Sequence, residues 1–430
     1  MSLRKQAVSG VKWSTLSTII LALTALIKVS VLARFLDKED FGLMALVTFV
    51  LGFTNLFMDM GLTSAILHRQ NITQNEYSSL YWLNFVFSIF LFLIICAISP
   101  FAANFYSESE LLVLIPLMGL SLPFSSLGKQ FKTILQKGLK FKIISIIDIF
   151  TALVSLFVAI YLAIQGYGVY SLVYSALLQY LVSNLIFLLI GLQIEKGTIK
   201  FYYSFKATKP FLKIGMYQVG GQVVNYFNRD LDILIIGKFF GAELLGGYSL
   251  AKQLVFRPSQ IINPILTRVA SPILVKFQKD FAILKKNYLK LLNIVISINI
   301  PVYLAVILFA SPIVEILYGK DYLEIITLVR ILSIYMIVRA IGNPIGSLII
   351  ATGRTDLEFY WNIFTLSIMP AAIYIGAQFS LVGVALSITI TMILLLIPSW
   401  WFLMKRLVNI SLYEFLKSLV PKYHFLLNKK

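Results

Sequence analysis

At 430 residues, with 59% hydrophobic and only 13% charged side chains and a mean hydropathy of +0.87, the chain holds more apolar sequence than a soluble globular protein of its length needs. Its formal charge of +18 would suit nucleic acid, but the basic residues are spaced as an orientation signal between apolar runs, which excludes nucleic acid and leaves membrane lipids as their partner. Cys96 is the lone cysteine and His68 and His424 stand far apart, so disulfides, metal centres and triads have nothing to build on and no cofactor is expected.

Cutting the chain at its charges and turns predicts twelve spans, each near the roughly 20 residues that cross hydrocarbon. The first, 10–34, follows a basic start (Arg4, Lys5, Lys12). It is too long for a signal peptide and lacks a small-residue cleavage site, so it reads as an uncleaved helix. Spans at 41–67, 78–98, 111–135, 141–164 and 168–192 complete a first half. Those at 211–236, 242–270, 287–310, 324–351, 358–376 and 381–404 form a second. The expected organisation is an N-terminal six-helix lobe (1–193), a cytoplasmic linker (194–210), a C-terminal six-helix lobe (211–404) and a basic amphipathic tail (405–430), in which 411–420 reads as an interfacial helix.

Sidedness follows from the loops. The even loops carry clusters such as Lys137, Lys140 and Lys142, or Lys276, Lys279, Lys285 and Lys286, and both tails are basic, whereas the odd loops hold only Arg34, Lys38, Lys238 and Lys320. The positive-inside rule then puts both termini in the cytoplasm of a multi-pass protein.

Within the seventh span, Gln218, Gln222, Asn225, Arg229 and Asp232 recur at alternating steps of four and three, one face of a helix. An ionised group at bilayer depth costs roughly 2.5 to 3.5 kcal/mol even on the gentlest scale, so this face looks into a bundle or a wet cavity. The second span carries a comparable stripe of Thr48, Asn55, Asp59 and Thr63, and the eighth carries Lys252, Ser259, Asn263 and Thr267 with Arg257 beside them. Lys28 on the first span adds a third cation to Arg229 and Arg257, all three placed too far from helix ends to reach the headgroups.

These stripes are related by an internal repeat. Arg34-Phe35 with Glu39 and Gly42 recurs as Lys238-Phe239 with Glu243 and Gly246 at an offset of 204, and Ser99-Pro100 with Tyr106 recurs as Ser311-Pro312 with Tyr318 at 212. With Gly138 and Gly168 recurring as Gly353 and Gly383 at 215, three such matches in order predict two parallel halves, because an even number of spans per half preserves orientation. The offset of 204 carries Asp232 onto Lys28, an acid onto a base. Pairing of these two across the halves would spare either a lone buried charge.

The outer turn Ala33-Arg34-Phe35-Leu36 with Glu39-Asp40-Phe41-Gly42, then Asp59-Met60-Gly61-Leu62, then Asn228-Arg229-Asp230-Leu231-Asp232 and Gly247-Tyr248-Ser249-Leu250-Ala251, resembles polysaccharide transporters of the lipopolysaccharide biosynthesis type, within the multidrug/oligosaccharidyl-lipid/polysaccharide flippase superfamily. The resemblance implies an all-α integral membrane fold of about twelve helices in two pseudo-symmetric lobes around a central cavity. It also implies a non-enzymatic function in the inner membrane: flipping undecaprenyl-diphosphate-linked oligosaccharide outward, with glycan polymerase and glycosyltransferases as partners. On that reading Lys28, Arg229 and Arg257 receive the diphosphate, Gln218, Gln222 and Asn225 contact sugars or water, and Asp59 and Asp232 serve as coupling or inter-lobe ion-pair acids. The alternatives are a cation-coupled multidrug exporter of the same superfamily, which would favour an acidic and aromatic lining, and a membrane-embedded glycan polymerase, for which the outer loops are too short.

Overall fold

The computed structural model describes residues 3–58, 63, 66–67, 69, 72–194 and 199–422, with the side chains of 3–8, 194, 207, 210, 212–219 and 264–273 outside that description. Every regular element among them is a helix. In chain order these are α1 (Leu3–Leu32), α2 (Lys38–Met58), α3 (Gln74–Tyr106), α4 (Leu111–Lys137, interrupted at Leu120), α5 (Phe141–Ile164) and α6 (Val169–Ile194). A 72-residue helical stretch, Phe205–Lys276, follows and is broken at Gly241.

Among the described residues, eleven segments are long and apolar enough to cross a membrane, and one of them, Gly220–Asn263, is two passes. Lys252 Nζ lies 2.7 Å from Asp232 Oδ1 although 20 residues separate them, whereas a straight helix would hold them roughly 30 Å apart. The chain therefore reverses at Gly241, whose φ of 77° suits glycine and few other residues. The arms are α7 (205–240) and α8 (242–276), and with them the passes number twelve, as the sequence predicts. Beyond lie α9 (Phe281–Leu308), a short helix Ala310–Tyr318, α10 (Lys320–Thr352), α11 (Thr355–Ala377), α12 (Leu381–Val408) and α13 (Leu412–Ser418).

Local chemistry sets the ends. Thr73 caps α3 by accepting from the Glu76 N–H, while the Glu76 carboxylate accepts from the Thr73 N–H at 2.8 Å, so two orphan donors are satisfied reciprocally. That start is earlier than the 78 expected from hydropathy, because Glu76 serves the cap and also pairs with Arg69 at 2.9 Å. Gly342 and Pro344 bracket an interruption in α10: the helix stops at Gly342 and resumes at Ile345, since Pro344 has no N–H to continue the ladder.

The chain forms two compact units, one of 1–226 with 240–246 and one of 227–239 with 247–430. In the first, Tyr81, Phe131, Leu135, Ile144, Ile147 and Phe187 make a core cluster. The same unit contains a crossing of α2 with the start of α8 at which a Cβ on Gly42 would strike the Ala242 carbonyl oxygen, and one on Gly246 the Lys38 carbonyl oxygen. Positions 38 and 42 are the repeat equivalents of 242 and 246, so this crossing within the first unit is reciprocal, made by equivalent positions of the two helices. In the second unit, Leu284, Tyr288, Leu292, Leu348, Met404 and Phe415 share a core. Phe415 fastens α13 to it, a burial worth about 1.5 to 3 kcal/mol, while Tyr413 and Leu416 on the opposite side stay exposed, the amphipathic pattern expected of an interfacial helix. Elsewhere the spans expose Phe101, Phe157, Leu308 and Leu394, a surface suited to hydrocarbon.

Candidate functional site

The densest ionic arrangement in the second unit lies between the two arms of the α7–α8 hairpin. Lys252 donates to both carboxylate oxygens of Asp232 at 2.7 and 2.9 Å, to Asp230 at 3.2 Å and to the Arg229 carbonyl at 2.9 Å. Tyr248, one turn earlier on α8, donates its hydroxyl to Asp232 at 2.5 Å. Arg229 turns to Asp230 at 2.7 Å and remains half exposed. Lys252 and Asp232 are 8% and 6% exposed, and the space among Asn228, Asp232, Tyr248, Lys252, Phe256 and Tyr335 is only about 10 Å³, enough for one water. Such a sealed pair is satisfied internally and has no room for a sugar or a phosphate.

Two neighbours extend this centre. Arg339 of α10 donates to the Tyr335 hydroxyl at 2.7 Å and lies 5.3 Å over the Phe256 ring. Asn228 gives its amide N–H groups to the Asn362 carbonyl at 2.9 Å and the Thr365 hydroxyl at 3.1 Å, tying α7 to α11, and its Oδ1 is buried without a partner. Arg257, a turn and a half beyond Lys252, is half-buried and reaches Gln260 only at the 3.5 Å limit of a hydrogen bond.

In the first unit, Lys28 points into the helix packing. Its ammonium donates to Ser155 of α5 at 3.0 Å and to Ser175 of α6 at 2.8 Å. Both serines spend their own protons on carbonyls, Ser155 on Ser175 at 2.8 Å and Ser175 on Leu172 at 3.0 Å, so their lone pairs remain for the lysine. Lys28 sits only one turn before the end of α1, nearer a helix end than the sequence reading placed it. Its inward bonds, rather than its depth, keep it from the headgroups.

The expected site residues thus fall into separate places. Lys28 is satisfied by hydroxyls within the first unit, Asp232 by Lys252 and Tyr248 within the second, and Arg229 by Asp230. Gln222 and Asn225 are exposed on α7. Asp59 lies outside the described residues, as does the side chain of Gln218. Sequence reasoning passed over Lys252 as a partner of Asp232, although the two positions stand nearly equidistant from Gly241, which a hairpin brings together. It also passed over Arg339, whose signal was a cation inside an apolar span.

The model of the family described as polysaccharide biosynthesis protein matches residues 31–327. The lipopolysaccharide biosynthesis protein WzxC of Escherichia coli (strain K12) is 31% identical over 98% of this chain and 86% of its own length. The teichuronic acid biosynthesis protein TuaB of Bacillus subtilis (strain 168) is 29% identical over 98% of this chain and 87% of its own. Among solved structures, the lipid II flippase MurJ in an inward closed conformation superposes with a TM-score of 0.75 at 17% identity, covering 95% of this chain and 90% of that one, which shows a shared fold. With the family model spanning well over half of the sequence, this chain belongs to the polysaccharide biosynthesis protein family.

Proposed function

We propose that the chain carries undecaprenyl-diphosphate-linked oligosaccharide from the cytoplasmic to the outer leaflet of the cell membrane by alternating access. The observation that carries this reading is Lys28. An ammonium turned inward among helices, with serine hydroxyls as its only described partners, keeps its net charge and can receive an anion. A diphosphate brings about two negative charges that must cross a medium of low dielectric, and fixed cations along the route lower that barrier. Family membership and the names of the relatives, which concern lipopolysaccharide and teichuronic acid biosynthesis, support an oligosaccharide cargo.

In this scheme Lys28, Arg229 and Arg257 supply the positive field, and Gln218, Gln222 and Asn225 meet sugars or ordered water. Asp232, sealed against Lys252, suits a latch or a coupling site better than a substrate contact, and Asp59 is the second candidate coupling acid. The basic even loops and tails support an orientation with both termini in the cytoplasm. Glycosyltransferases would supply the lipid-linked unit and a glycan polymerase would consume it.

The test is complementation of surface-glycan export in a strain deleted for this chain, with each variant's membrane level measured. A triple Lys28→Met, Arg229→Ala, Arg257→Ala variant should be present in the membrane and export little glycan. Full export by it would remove the cations from the mechanism. Cysteines placed at Ser107 and Lys279 should be labelled from opposite sides, and equal labelling from outside would overturn the topology.

A further inference from the structure

The first unit contains a second polar feature that the charge argument does not use. Between α1, α2, α4, α5 and α6 lies a cavity of about 570 Å³, within the roughly 300 to 1,000 Å³ of small-molecule sites. Its wall is built in register. On α6, Gln179, Tyr180 and Ser183 follow at steps of one and three, so a single face of the helix looks inward. α2 contributes Asn55, α4 contributes Lys132, and α5 contributes Asp148.

Lys132 Nζ stands 2.8 and 2.9 Å from the two Asp148 oxygens and 5.1 Å over the Phe187 ring. The side chains of this pair are 34% and 20% exposed, against 10% and 8% for Lys252 and Asp232 in the other unit. The first pair is therefore reachable from the cavity, and the second is sealed. The frame is stiff: a Cβ on Gly128 of α4 would strike the backbone of Asn184 on α6, so these helices touch main chain to main chain beside the cavity.

We propose that this cavity binds a sugar residue of the lipid-linked oligosaccharide, an inference that rests on the transport reading above and adds the subsite that reads the glycan. Each sugar hydroxyl both donates and accepts, and a carboxylate–ammonium pair beside amides and hydroxyls offers both. The mixed polarity also argues against the other cargoes. Lys132 with Lys129 on the same wall would repel an organic cation, and the Asp148 carboxylate already occupies Lys132 and so competes with a diphosphate for it, whereas a polyol can bond to both members of the pair. Tyr180, 40% exposed, adds an aromatic surface for the apolar face of a pyranose.

The experiment uses the purified full chain in nanodiscs and two probes, titrated by native mass spectrometry. One is undecaprenyl diphosphate without sugar, and the other is the sugar-bearing lipid extracted from the producing organism deleted for this chain. The wild type should prefer the sugar-bearing lipid. An Asn55→Leu/Gln179→Leu variant should bind that lipid about tenfold or more weakly while its affinity for the bare diphosphate stays unchanged, because two hydrogen-bonding amides are lost. Gln179→Asn, which keeps the amide and shortens its reach, should give a smaller loss and remains informative if the double variant does not fold. Equal weakening for both lipids would place the diphosphate in the cavity, and no weakening for either would leave the cavity out of recognition. Both results overturn the proposal while leaving transport standing. Binding of neither lipid by the wild type would overturn the transport reading itself, and the subsite with it.

Discussion

Lys28 on α1 and Asp232 on α7 occupy equivalent positions of the repeat, yet their charges are settled in different ways. Asp232 has an ammonium and a phenol against it, 2.7 and 2.5 Å away, and the pair is closed to solvent. Lys28 has two serines and forms no ion pair among the described residues. The reason can be traced one step further along the repeat, because the offset of 204 carries Lys252 onto Thr48. The first half lacks a charge where the second half keeps its lysine, and serines of α5 and α6 take over the contact. Equivalent positions of the repeat thus carry different chemistry. A neutral, sealed pair contributes to holding one unit together, while a cation balanced only by hydroxyls remains available to a charged cargo.

The sharpest way to break this contrast is to remove one partner from each arrangement. Lys252→Met leaves the buried Asp232 without its ammonium beside a space with room for a single water. Losing one member of a buried pair costs about 3 to 5 kcal/mol. Thermal unfolding in detergent should show a large drop, and adding Asp232→Leu should restore most of it. A Lys252→Met protein of wild-type stability would mean that the pair is not structural. Lys28→Met should do the reverse. Its serines keep their own carbonyl acceptors, so stability should hardly change. Export should fall by roughly 10- to 100-fold if the ammonium holds the cargo through one charged hydrogen bond of about 1.5 to 3 kcal/mol. Lys28→Arg, which keeps the charge with a different shape, should retain part of the activity.

Where α2 crosses the start of α8 through equivalent positions, the expectation is symmetry. Gly42→Ala and Gly246→Ala each introduce a methyl group against a carbonyl oxygen of the other helix. Overpacking of this kind costs about 1 to 3 kcal/mol. The two single variants should lose similar stability, and the double variant should lose less than their sum, because helices already parted by one methyl group have room for the second. Strict additivity in thermal unfolding would argue that the two glycines do not share one crossing.

Much of this was legible beforehand. Length, hydropathy and loop charge predict the spans because a lipid environment leaves few ways to satisfy a backbone, whereas Gly42 and Gly246 stand in the sequence only as a repeat match and their crossing came from the structure. Individual partners were harder to read. Asp232 and Lys28 look like mates from their opposite signs and equivalent positions, but periodicity on one helix cannot say which neighbour a side chain reaches. Lys132 has the appearance of a loop lysine, since it stands near Lys137 and Lys140. It belongs instead to the last turns of α4, where Asp148 receives it. Hydropathy also placed the end of the last span at 404, whereas helix continues to Val408 through a wider turn at Trp400–Met404. The charges of Lys405 and Arg406 ended the apolar run without ending the helix.

The smallest expected effect concerns the docking of α13 in the second unit. α13 opens on Ser411, whose N–H is accepted by Glu414 at 2.8 Å, and Lys285 of α9 reaches the same carboxylate at 2.7 Å. The Lys285 contact, followed by the backbone bond from Ser411, lowers the Glu414 carboxyl from its ordinary 4.5 to about 2. A depressed carboxylate contributes stability that is fully present above the unfolded value and is lost as pH falls through the folded one. The docking of α13 should therefore weaken between about pH 4.5 and pH 2 and be indifferent to pH above that window. The pair is exposed to solvent, which screens it, so the contribution stays under about 1 kcal/mol. Hydrogen exchange of the amides of Leu412–Ser418 should quicken, after correction for intrinsic rates, when the pH is lowered from 6 to 3 in the wild type. In Glu414→Gln it should already be raised at pH 6 and change little on acidification. A wild-type helix equally protected at both pH values would show that Phe415 and the hydrogen bonds of Asn293 to Ser418 and Val420 hold α13 without help from the charge.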